Sequence, residues 1–221
     1  MTEDAVLEFW FDELRAPTRI TCWLPLHCRV GRQAYRCGFA ATHQQQVDRL
    51  VFVGALSPQQ QFVKDPALDE TIRARFSGVL EAAARGELFK WRRSARGRLA
   101  EIVVLDQFSR SVYRDTPRAF AQDAMALVLA QELVASGLDR ELPTTQRAFA
   151  YLPYMHSESL QIHEQALVLY AEPGFEATLQ SELRHKAILE RFGRYPHRNA
   201  ILGRPSTSEE LAFLQEAGSS F

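Results

Sequence analysis

The chain has 221 residues and 25.2 kDa, is 46% hydrophobic and 24% charged, and has a formal net charge of -1. That balance suits one globular domain with a buried core and excludes a disordered or fibrous chain. A pI near 6.6 gives no broad basic footprint, so nucleic acid is an unlikely partner. No apolar run approaches the roughly 18 to 20 residues that span a bilayer. The opening MTEDAVLEFW is acidic and lacks the order of a secretory signal, so a cytoplasmic location with no membrane contact is expected.

Helical periodicity runs along nearly the whole sequence and no convincing strand alternation interrupts it. Val6, Leu7, Trp10, Phe11 and Leu14 predict a first helix over 3–14. Asp65-Pro66 reads as an N-cap with proline at the first helical position, followed by Leu68, Ile72, Phe76 and Leu80 at fourfold spacing up to Gly86. A third helix is expected over 94–108, with Leu99, Ile102, Val103 and Leu105 inward, and a fourth from Thr116-Pro117 to Gly137.

Shorter helices over 144–151 and 158–171 are expected to be split by the proline of YLPYMHS. Another spans 175–192 with Gly193 as C-cap, and Ser206-Thr207-Ser208-Glu209 has the form of a capping box opening the last. The fold class predicted is all-α, with antiparallel helix pairs in an irregular bundle or a superhelix.

Residues 16–57 break this pattern. They hold all three cysteines, Cys22, Cys28 and Cys37, and set Arg19, Arg29, Arg32, Arg36 and Arg49 against one acid, Asp48. The cysteine spacing, even with His27 or His43 added, lacks the close pairs of zinc sites, and a reducing compartment disfavours a disulfide. The segment reads as an inserted loop with incidental thiols, in a single domain over 1–221.

Positive charge gathers elsewhere too. RFGRYPHRNAILGRPST, residues 191–207, holds Arg191, Arg194, Arg198 and Arg204 with His197 and Asn199, and no acid. Gly193 lets the backbone leave its helix and Pro196 fixes the turn, so these side chains are expected on a constrained loop. Planar guanidinium forks suit carboxylate and phosphate oxygens. The competing reading pairs the arginines with Asp106, Asp115, Asp123 or Glu158 as structural ion pairs.

LDQFSRSVYR places Asp106 and Arg110 at i and i+4, with Gln107, Arg110 and Arg114 along roughly one side of the helix. MHSES adds His156 and Glu158, candidates for general acid or base chemistry, since histidine titrates near neutral pH. A histidine in a turn more often caps or hydrogen-bonds locally, and with His185 and His197 it could also form a metal site. The candidate ligand-binding set is therefore Asp106, Gln107, Arg110, Arg114, His156, Arg191, Arg194, His197, Arg198 and Asn199.

LDQFSRSVYR, FAYLPYMHSESL and RFGRYPHRNAILGRPSTSEELAFL, with the opening VLEFWF, resemble the DUF924 family of bacterial proteins. The resemblance implies an α-helical fold of the tetratricopeptide-repeat-like superfamily and no established activity. Ser109 and Ser111 stand where the family pattern usually reads LDQFPRN, which is expected to relax the turn that aims Arg110 and Arg114. Residues 16–57 have no counterpart in that pattern.

Two functions fit best: a small-molecule site, with scope for catalysis, for a phosphorylated or carboxylated ligand, or an interaction module holding an acidic peptide. RNA binding through arginine and tyrosine fits least. No nucleophile elbow, phosphate loop or zinc signature is present, and no cofactor or metal is expected. Neither a reaction class nor an oligomeric state follows from the residues.

Overall fold

The computed structural model describes residues 1–11 and 64–219. Leu14 and the 16–57 segment, with Cys22, Cys28, Cys37, His27 and His43, lie outside the described residues. Every regular element among the described residues is helical. None of those helices is long and apolar enough to cross a membrane.

Helix α1 (Glu3–Phe11) buries Val6, Leu7, Phe9 and Trp10. Helix α2 (Pro66–Ala84) starts where the sequence predicts, with the Asp65 side chain accepting from Ala67 N and Leu68 N. One residue beyond the Arg85 cap, Gly86 takes a φ of 72°, a left-handed turn that favours glycine. Helix α3 (Ala95–Val103) is capped by Ser94, whose side chain accepts from Gly97 N.

The segment expected to end at Phe108 does not stay α-helical to that point. Val104–Phe108 forms a π-helical turn and α4 (Ser109–Val112) continues from it. All five residues of the π turn are buried, which one apolar stripe on a regular surface helix does not achieve. Ser109 is fully buried in helical geometry, φ -56° and ψ -43°, and the helix runs on through it.

The expected fourth helix is two elements. A 3-10 turn, Pro117–Phe120, precedes α5 (Asp123–Ala135), because Gln122 leaves helical geometry at φ -104°, ψ 3°. Helix α6 (Thr144–Met155) runs through Pro153 instead of stopping at Tyr151. Phe149 to Met155 are all buried there, and that packing offsets the one backbone hydrogen bond a proline cannot donate.

Helices α7 (Leu160–Tyr170) and α8 (Glu176–Phe192) follow, with Gly193 at φ 69° closing the latter. Helix α9 (Ser208–Phe213) has its capping box one residue later than predicted. Thr207 accepts from Glu210 N and Glu210 accepts from Thr207 N. Ser206 and Glu209 are engaged elsewhere, by Asn199 and Arg191.

Helices adjacent in the chain pack on one another, α5 on α6, α6 on α7 and α7 on α8, while α3 lies against α1 and α5. Aromatic rings tie α1, α2, the π turn and α6 together. Phe76 sits 4.9 Å from Phe9 and 4.7 Å from Phe108, and Trp10 lies 5.5 Å from Phe108 and 5.9 Å from Phe149, centroid to centroid. Each such buried side chain contributes about 1.5–3 kcal/mol. Phe108 therefore anchors the π turn from below while Asp106 and Gln107 remain within it. A separate small cluster of Ile188, Leu189, Tyr195 and Phe213 seats the arginine-rich loop.

Candidate functional site

The π turn holds Asp106 almost wholly buried, at 1% exposure. Its Oδ1 lies 2.7 Å from His156 Nδ1 and 3.0 Å from Arg110 NH1, and its Oδ2 accepts from Gln107. Arg110 also forks Asp123, at 3.0 and 3.1 Å. Burial alone would raise the Asp106 pKa, but the charges of Arg110 and His156 and the hydrogen bonds from His156 and Gln107 hold it well below the ordinary carboxylate range. Asp106 is therefore an anion, and it fixes its neighbours.

His156 caps the C-terminal end of α6. An ionised carboxylate only accepts, so His156 Nδ1 carries the proton it donates to Asp106. Burial lowers the His156 pKa, Asp106 opposes the shift and Arg110 adds to it, and the ring is neutral at neutral pH. The bare nitrogen is then Nε2, which makes no hydrogen bond among the described residues.

Arg198 ends the 3-10 turn Pro196–Arg198 and is 7% exposed. Its guanidinium lies 4.7 Å from the ring centroid of Phe120 and 4.7 Å from that of Tyr195. NH2 donates to the His156 carbonyl at 3.0 Å, and NH1 reaches Asp123 only at 3.5 Å. The buried Nε–H has no acceptor among the described residues.

His156, Arg198, Asp123 and Phe120 share a cleft of about 420 Å³ with Glu158, Ser157, Pro153, Leu127 and Leu202. Its lining combines charged and hydrogen-bonding side chains with apolar ones.

The remaining predicted residues are committed to other contacts. Arg114 forks Asp69 on α2, Arg191 donates to Glu209 at 2.9 Å, and Arg194 forks Glu210 at 2.6 and 2.8 Å. Asn199 donates to Ser206 and accepts from Arg204. Glu158, a candidate acid or base on sequence grounds, is forked by Arg204 and accepts from Tyr195 N.

His197 lies beside Tyr195, ring centroids 5.6 Å apart, and burial together with Arg198 lowers its pKa to about 4. No group of three or more His, Cys, Asp or Glu side chains among the described residues is placed to hold a metal ion, so His156, His185 and His197 do not form such a site.

Asp123 was expected only as an ion-pair partner, and Phe120 was not anticipated. Both follow the Thr116-Pro117 turn, and no local signal in the sequence says that this turn folds back over Arg110 and Arg198.

A family model described as a bacterial protein of unknown function, DUF924, matches residues 6–218. The chain belongs to the DUF924 family. A solved structure of a protein of unknown function from Agrobacterium tumefaciens is similar at 38% identity and a TM-score of 0.70, covering 73% of this chain and 91% of that one. No curated protein matches the chain. Among the stretches that suggested this DUF924 membership, LDQFSRS, YLPYMHSES and RYPHRN each contribute a residue to the network linking Asp106, His156 and Arg198.

Proposed function

We propose that this DUF924 protein binds a small molecule in the cleft through one anionic group received by Arg198. The observation that carries this reading is the state of that guanidinium. Of the five N–H donors an arginine carries, Arg198 commits two to the protein among the described residues, one of them at the limit of hydrogen-bond length. Aromatic faces, rather than a close carboxylate fork, hold it in place. Arg114, Arg194 and Arg110 are spent on carboxylate forks, and Arg198 retains donor capacity.

A cavity of about 420 Å³ falls within the range of ligand pockets, roughly 300–1,000 Å³, and suits a metabolite better than a length of peptide. Arg110 and Arg198 are matched one for one by Asp106 and Asp123, which favours a singly charged carboxylate over a phosphate dianion.

The test is a thermal-shift and calorimetric screen of monocarboxylates, succinamate among them, and phosphorylated metabolites, run on the unmodified chain and on Arg198→Ala. A carboxylate should raise the melting temperature, the effect should weaken with added salt as charges are screened over about 8–10 Å, and Arg198→Ala should remove it. Because Asp123 keeps its fork to Arg110, that variant leaves no bare carboxylate and should unfold only slightly earlier. An unmodified protein indifferent to every anion, with a variant that unfolds readily, would make the arginine structural and end this reading.

A further inference from the structure

Binding does not require the second feature of the cleft, an imidazole whose tautomer is dictated from behind. Asp106, itself gripped by Arg110 and Gln107, takes the Nδ1 proton of His156, and the Nε2 lone pair is left without a protein partner among the described residues. No hydroxyl or thiol among them hydrogen-bonds to that nitrogen. Ser157, the nearest in sequence, uses its Oγ to accept from Ser159 N. The proton that Nε2 is placed to take is therefore that of a molecule in the cleft.

Resting on the binding reading above, we propose that the cleft hydrolyses small carboxylic esters that carry a free carboxylate, with His156 as general base toward water and Asp106 as its positioning residue. Arg198 receives the free carboxylate. As a water oxygen bonds to the ester carbonyl carbon, Nε2 takes one of its protons and the carbonyl electron pair moves onto oxygen. When that pair returns, the bond from carbon to the ester oxygen breaks, and the imidazolium gives its proton to the departing alkoxide. One water is consumed, an alcohol and a carboxylic acid are released, and His156 is neutral again.

Charge balance favours this electrophile. Water attack on a phosphate dianion needs surplus positive charge, whereas the two arginines here are already matched by Asp106 and Asp123. A neutral carbonyl makes no such demand. Positioned base catalysis of this kind typically contributes 10²–10⁴-fold.

The probe is the mono-4-nitrophenyl ester of succinic acid, with 4-nitrophenyl butyrate as the uncharged comparison and binding of the singly charged amide succinamate measured separately. The unmodified chain should release nitrophenolate from the charged ester faster than from butyrate. His156→Gln should lower kcat by about 10²-fold or more while succinamate still raises the melting temperature. Nitrogen NMR of the unmodified protein should show Nδ1 protonated and Nε2 bare at neutral pH, and Asp106→Asn should abolish that preference and shift the acidic limb of the pH–rate profile.

Hydrolysis unaffected by His156→Gln, or Nε2 protonated at neutral pH, overturns the proposal. Succinamate binding without ester hydrolysis also overturns it and leaves the binding reading standing, whereas hydrolysis of the butyrate ester alone removes the carboxylate requirement and with it the substrate class. If Asp106→Asn does not fold, His156→Gln and the tautomer still decide.

Discussion

Arg204 forks both oxygens of Glu158, at 2.6 and 2.9 Å, across 46 residues of chain, and Tyr195 N donates to the same carboxylate at 2.8 Å. This contact ties the arginine-rich loop to the turn that follows α6. The same loop carries Arg198 to the His156 carbonyl, and the fork turns a candidate acid into a clamp.

Removing the clamp should open the loop. Glu158→Ala strips acceptors from Arg204 and Tyr195 N in a half-buried place, and bonds to charged groups of this kind contribute about 1.5–3 kcal/mol. Urea unfolding should report a loss of that order. Amide exchange should rise first over residues 194–204, and an unchanged exchange pattern would show that Glu158 does not hold the loop.

Asp106→Ala should be more damaging. It leaves Arg110 with Asp123 alone and His156 Nδ1 with no acceptor, and breaking a buried ion pair of this kind costs about 3–5 kcal/mol. Denaturant midpoints measure it. A loss below about 1 kcal/mol would mean that Asp123 absorbs the charge of Arg110 by itself.

Stability should fall on mild acidification. Burial lowers the pKa of His185 to about 3 and that of His197 to about 4, beneath the ordinary value of about 6.5. The unfolded chain therefore binds protons that the folded chain refuses. The stability conferred is full above about pH 6.5 and is lost as pH drops toward about 4, at up to about 1.4 kcal/mol per pH unit for each histidine. Unfolding free energies measured across that interval test the slope, and His185→Gln should flatten it.

Two glycines should respond with opposite signs to alanine. A Cβ on Gly97 would stand 2.0 Å from the Trp91 carbonyl oxygen, so Gly97→Ala should destabilise by about 1–3 kcal/mol through overpacking. Gly78, exposed inside α2 with nothing within 4 Å of a Cβ, should gain about 0.5–1 kcal/mol on becoming alanine. Thermal unfolding of the two variants separates the effects.

The sequence by itself determined that the described residues are helical, where most of their helices begin, and to which family the chain belongs. Those features are local: Asp65-Pro66, Ser94, Gly86 and Gly193 act on backbone within a few residues of themselves, and apolar spacing marks the buried face of α2 wherever that helix packs. It also displayed Asp106, His156 and Arg198 of the candidate site, within LDQF, MHSES and RYPHRN, but not Phe120.

Tertiary structure alone decided what each of them does. Arg114, Arg194 and Arg198 are chemically alike in sequence, and only the carboxylate or ring beside each makes the first two ion-pair struts and leaves donors on the third. The π turn that seats Asp106 behind His156 is also invisible locally, because an extra residue in a helical turn is held by Phe108 packing on Phe76 and Trp10, from helices that lie far away in the chain.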